Sequence, residues 1–171
     1  MEPLFIKPDL PRYSQRPLPP YRYLPVADAV AQPHPRVDRA GHSYGQDEEY
    51  LPGFTPDDWA TCEIYLYGID LFNHGYWWEA HEAWETVWLA AGQRSTRCGT
   101  FVQGLIQLAG AQLKRFIHEP VGAQSLTEHG CAKLARVAGV YLGIDVAALI
   151  AAARRCLRED REEFPRIELC F

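Results

Sequence analysis

The sequence predicts an all-α fold, a compact bundle of about five helices behind an extended, proline-rich N-terminal arm. Three observations lead there. Eleven of the thirteen prolines fall at or before Pro56, and proline removes a backbone donor and blocks helix interiors. From Thr55 onward apolar residues recur three and four apart, the spacing of one helix face. No strand–helix alternation interrupts that pattern.

Residues 1–54 are the predicted arm and residues 55–171 the bundle. Phe5, Tyr13, Tyr21, Tyr23, Leu24 and Tyr50 punctuate the arm. Aromatics at such intervals suit a segment lying on a surface, its own bundle's or a second subunit's, the alternative being a loose tail. Thr55-Pro56-Asp57-Asp58 reads as a helix start, with a capping threonine, proline in first position and acids in the first turn. Trp59, Cys62, Leu66, Ile69 and Asn73 carry this first helix to about Asn73. Gly75 separates it from a second, about Tyr76 to Ala91, stopped by Gly92. A third spans about Ser95 to His118, and Pro120 opens a fourth that ends near Gly139. Asp145 caps a fifth, Val146 to about Glu163, which turns Leu149, Ile150, Cys156 and Leu157 inward. Its outward arginines, at 154, 155, 158 and 161, are expected to pair with Glu159, Asp160 and Glu162. Pro165 ends it, and the tail Arg166 to Phe171 is expected either to pair as a strand or to pack as coil.

Composition narrows the function. At 171 residues and 47% hydrophobic, the chain has ample core for one domain. A net charge of −5, with 17 basic residues in no dense run, argues against nucleic acid as a partner. The longest purely apolar stretch, Val146 to Ala153, is too short to span a bilayer. Five cysteines, odd in number and without a C-x-x-C pair, read as reduced thiols. The start MEPLFIKPDL lacks a charged head and long apolar run, so the expected location is cytoplasmic.

The chemistry concentrates in Phe72 to Trp88, FNHGYWWEAHEAWETVW, which holds four of the five tryptophans, three glutamates and two histidines. On a helical wheel, Trp77, Trp78, His81, Trp84, Glu85, Trp88 and Leu89 share an arc of about 140°. Glu82 falls at its edge, and Glu79 and Thr86 fall on the opposite, polar side. His81 and Glu85 are therefore expected to face inward, one turn apart. In the third helix Gln103 and Gln107 share a stripe with the small residues Gly104 and Ala111. Against an antiparallel second helix that stripe would bring both glutamines to His81 and Glu85, with Asn73 a further candidate.

Three readings of this cluster compete. It is a structural polar network that fixes helix register. Alternatively it is a metal or catalytic site: His81-Glu82-Ala83-Trp84-Glu85 nearly matches H-E-x-x-H, with His81 and Glu85 as ligands of a divalent ion and Glu82 as base. His118, His74 and His34 are then candidates for a third ligand. Or it is a small-ligand pocket walled by tryptophans, Trp78 among them, with His81 and Glu85 as polar anchors. Weaker signals lie in the arm. Gly41-His42-Ser43-Tyr44-Gly45 matches G-x-S-x-G, but without the flanking strand and helix a turn is the favoured reading. His34, Asp38 and His42 would join a site only if the arm folds back over the bundle.

Phe72-Asn73-His74-Gly75-Tyr76-Trp77-Trp78-Glu79-Ala80-His81-Glu82-Ala83-Trp84-Glu85, followed by Trp88, resembles the signature of the DUF309 family, small helical proteins of unknown function. That signature runs roughly FNxGxYxEAHExxE and then W. Phe101 to Ala109, FVQGLIQLA, is similar to the family's second block, and Gly122-Ala123 with Leu134 to a weaker third. The likeness covers about Asp57 to Ile150 and implies a compact bundle with the signature helix at its centre. His81, Glu82, Glu85, Gln103 and Gln107 match the family's polar motif positions. It implies no particular activity. The expected function is thus a protein that binds a metal ion or small ligand, with hydrolysis as the candidate reaction. The rival is a non-enzymatic interaction module whose cluster is structural and whose arm docks a partner or second subunit.

Overall fold

The computed structural model describes residues 10–25, 32–158 and 163–171. Among them are five α-helices: α1 (Glu63–Asn73), α2 (Trp77–Ala90), α3 (Arg97–Phe116), α4 (Pro120–Leu134) and α5 (Val146–Arg158). A short 3₁₀ turn, Gln93–Ser95, leads into α3, and a hairpin of β1 (Val140–Tyr141) and β2 (Ile144–Asp145) leads into α5. The bundle is the all-α fold that the periodicity predicted, with α1 on α2, α2 on α3 and α3 on α4. None of its described helices is long and apolar enough to cross a membrane. The five cysteines are free thiols.

Two boundaries differ from expectation. The first helix begins at Glu63, not Thr55. Asp58 Oδ2 accepts hydrogen bonds from the Thr55 N–H, at 2.6 Å, and hydroxyl, at 2.8 Å. These local bonds hold the segment in turns and compete with helix, as short polar side chains do. The fourth helix stops at Leu134 because the chain turns there toward the hairpin, which supplies strands where none were expected. Leu142 and Gly143, with φ of 49° and 75°, make its two-residue turn. The tail takes the strand option at one point, bridging Leu169 to Ile144. In α5, Asp145 Oδ1 caps through the Ala148 N–H at 3.0 Å, as expected. The acids Glu159, Asp160 and Glu162, and Arg161, lie outside the described residues, and Arg154 pairs across to Glu128 of α4 at 3.3 Å.

The glycines explain which helices come close. A Cβ on Gly68 would sit 2.2 Å from Trp84 Nε1, so α1 and α2 meet over a fully buried indole. A Cβ on Gly104 would press on Leu134 and on the Gly130 carbonyl, and one on Gly130 on the Gly104 carbonyl. The small-residue stripe of α3 therefore receives α4, not α2.

The arm lies on its own bundle. Asp70, fully buried in α1, accepts from the Tyr13 and Ser14 N–H groups, the Ser14 hydroxyl and Arg12 Nε, at 2.7–2.9 Å. The Tyr67 hydroxyl donates to the Pro17 carbonyl at 3.0 Å. Further along, the arm crosses the surface of α2 and forms one wall of a cleft.

Candidate functional site

The core-facing stripe of α2 is Trp77, Ala80, Trp84 and Val87, continued by Ala91, all buried. The true inward face is thus rotated by roughly a quarter turn from the aromatic arc. Tryptophans flank that stripe on one side only, which drew the expected face toward them. His81 and Glu85 consequently sit on the flank of the helix, with side chains 36% and 46% exposed, and are not enclosed by a tryptophan wall.

That flank still gathers a donor set. His81 Nδ1 lies 3.5 Å from Glu82 Oε1, and His81 Nε2 lies 3.7 Å from Glu85 Oε1. Nδ1 is buried and forms no hydrogen bond among the described residues. One donor atom from each of His81, Glu82 and Glu85 lies within 4.8 Å of the other two. Partial burial pulls the imidazole pKa down, but the two carboxylates outweigh it and hold His81 above its usual range. Glu82 is held below the usual carboxylate range, first by the His81 ring against the opposing effect of burial, then by Arg36. Arg36 Nε donates to Glu82 Oε2 at 2.9 Å.

The other expected members go elsewhere. Gln107 Oε1 accepts from Lys133 Nζ of α4 at 2.8 Å, and Gln103 Oε1 is buried without a partner. Among the described residues neither glutamine bonds His81 or Glu85, and Gln107 is drawn instead to α4. Asn73 clamps the C-terminal tail: its Nδ2 donates to the Ile167 carbonyl at 2.7 Å and its Oδ1 accepts the Ile167 N–H at 2.8 Å. His74 Nδ1 is engaged with the Asp70 carbonyl at 2.7 Å. Trp78 is half-buried and meets Tyr23 and His34 of the arm edge-on, with ring centroids 5.5 and 5.4 Å away.

Sequence reasoning missed Glu79. It was expected on the polar side, yet it is 5% exposed because the arm folds over it. Glu79 Oε1 accepts the Tyr23 N–H at 2.8 Å and faces His42 Nε2 at 3.2 Å, while Oε2 is buried and has no partner among the described residues. Burial pushes Glu79 up to about 7, against the Tyr23 hydrogen bond and the charge of Arg22. Burial also lowers His42. The available signal was the arm's own spacing of His34, Asp38 and His42, of which His42 does reach α2.

Arm and α2 enclose a cleft of about 440 Å³, walled by Trp78, Glu79, Glu82 and Thr86 on one side and by Arg16, Arg36, His42 and Ser43 on the other. It is large enough for a small organic molecule. Cys98 is no rival nucleophile, since burial pushes its thiol up to about 11.

Comparison with curated proteins and with solved structures finds no match. The family model of a domain of unknown function, DUF309, matches residues 65–126. This span holds α2, all of α3 and the whole polar cluster from Asn73 to Gln107. The matched segment, residues 65–126, is thus similar to the DUF309 family, the one that the Phe72–Trp88 motif resembles.

Proposed function

We propose that the flank of α2 binds a divalent transition-metal ion through His81, Glu82 and Glu85. The supporting observation is the convergence of one donor atom from each side chain to within 4.8 Å of the others. An imidazole and two carboxylates suit zinc or a similar borderline ion. Metal–ligand bonds of about 2.1 Å in tetrahedral geometry separate neighbouring donors by roughly 3.4 Å. The 3.5 Å contact is made by Nδ1 and the 3.7 Å contact by Nε2, so one ion would take a single ring nitrogen and the farther carboxylate would swing toward it. His81 and Glu85 project from adjacent turns, and Arg36 on Glu82 Oε2 leaves Oε1 as the third donor. Three protein donors leave a position for water, which a bound zinc ion acidifies to about pKa 7. Metal-assisted hydrolysis is the reaction class that follows.

Elemental analysis and cobalt(II) titration of untagged protein test this. About one ion per chain should bind, with the visible spectrum of a low-coordinate cobalt site. His81→Ala and Glu85→Gln should each abolish uptake while the helical signal is retained. A folded wild-type chain that takes up no metal overturns the reading.

A further inference from the structure

A second constellation lies under the arm, and the metal reading does not use it. Ser43 Oγ is 2.8 Å from His42 Nδ1, and His42 Nε2 is 3.2 Å from Glu79 Oε1. All three residues line the cleft. The His42 and Glu79 side chains are only 8% and 5% exposed, whereas Ser43 remains half-exposed at the cleft wall.

The ring is locked in place. It packs on Tyr21 with centroids 4.8 Å apart, and the Tyr21 hydroxyl accepts the His42 N–H at 3.2 Å. The loop is equally fixed. Ser43 N–H donates to the Pro35 carbonyl at 3.0 Å, and a Cβ on Gly41 would lie 2.3 Å from two carbonyl oxygens. Glu79 Oε1 is held by the Tyr23 N–H, so the carboxylate is aimed before any ligand arrives. With Glu79 accepting from Nε2–H, the Nδ1 lone pair points at the serine hydroxyl, which is the tautomer a general base requires. Among the described residues Glu79 Oε2 stays buried and unpartnered, a cost that a merely space-filling contact has no reason to carry.

We propose that Ser43, His42 and Glu79 form a nucleophilic site for small carboxylic esters, with Ser43 as nucleophile, His42 as base and Glu79 as positioning residue. Ser43 Oγ adds to the ester carbonyl carbon as its proton passes to His42 Nδ1. The tetrahedral adduct collapses, the bond to the alkoxy oxygen breaks, and that oxygen leaves as the alcohol with the proton from Nδ1. Water then adds to the acyl carbon, giving its proton to Nδ1, and Ser43 Oγ departs with that proton as the carboxylic acid is released. Ester and water become acid and alcohol, with no other reactant. The cleft's two arginines are each paired, Arg16 with Glu49 and Arg36 with Glu82, and Trp78 gives the acyl group an apolar wall.

The test uses a fluorophosphonate probe on the full chain, read by intact mass and peptide mapping, together with hydrolysis of p-nitrophenyl acetate. One adduct on Ser43 is expected, absent in Ser43→Ala and unchanged in Ser125→Ala, whose serine lies exposed on α4. Glu79→Gln keeps the acceptor at Oε1 but removes the charge. It should slow labelling and lower kcat by at least about 100-fold while the helical signal is retained. Chelator treatment should leave labelling intact, which separates this site from the proposed metal. No adduct on folded wild type, or an equal rate in Ser43→Ala, overturns the nucleophile. A wild-type rate in Glu79→Gln overturns the positioning role.

Discussion

Asp70 and Glu79 are both acids sealed under the same arm, yet the arm treats them differently. Asp70 receives four donors spread over its two oxygens: two backbone N–H groups, a hydroxyl and a guanidinium. Among the described residues Glu79 has Tyr23 and His42 on one oxygen and no hydrogen-bond partner on the other. Desolvating a carboxylate is expensive, and only a full complement of donors offsets it. Asp70 is therefore a latch that holds the arm down. Glu79 is left poised, with its affinity for a proton raised to the neutral range. A segment that merely tied itself to the bundle would have satisfied both.

The comparison breaks most sharply at the latch. Asp70→Ala strands the Arg12, Tyr13 and Ser14 donors beneath the arm and should cost about 3–5 kcal/mol in urea unfolding. The arm of that variant should also become susceptible to protease at concentrations the wild type resists. A loss below about 1 kcal/mol would mean that Asp70 and Glu79 differ in appearance only.

Glu79 should behave in the opposite sense. Its folded pKa of about 7 lies above the ordinary 4.5, so the native state binds the proton more tightly than the unfolded chain does. Stability contributed by this group is present below pH 4.5 and is lost as pH rises toward 7, by about 3 kcal/mol in all. Glu79→Gln should thus be more stable than wild type at pH 8, with the advantage shrinking to nothing near pH 4.5. Urea midpoints across that range decide it, and a pH-independent difference would count against the unpaired charge. The smallest effect belongs to the exposed side of the arm. Arg36→Ala removes a partly solvated pair with Glu82 and should cost under about 1 kcal/mol at 0.15 M salt.

The elements themselves were legible because their causes are local. The apolar spacing of α2 and α3, Gly75 and Gly92 as breaks, Pro120 as a start and Asp145 as a cap act over one or two turns. The first helix was misread for an equally local reason that points the other way: Asp58 bonds back onto Thr55 and holds turns where a cap was expected. The hairpin at Val140–Asp145 is too short for an alternating pattern to register.

The site divides along the same line. His81 and Glu85 were found because i and i+4 positions on a helix are neighbours whatever surrounds them, and Glu82 because it is next to His81 in the chain. Gln107 was misassigned because a stripe of small residues announces a close helix without naming which one, and the neighbour is α4. Glu79 was placed in water because a wheel knows nothing of an arm more than thirty residues upstream.

The sequence alone determined an all-α bundle, a proline-rich arm, the likeness of residues 65–126 to the DUF309 family, and a histidine flanked by two carboxylates on one helix. Helical period fixes the angles between side chains, so these relations survive any packing. Tertiary structure alone decided which way α2 turns, where the arm lies, and that Ser43, His42 and Glu79 stand in one hydrogen-bonded line. Burial is a property of what covers a residue, and the cover here comes from a segment distant in the chain.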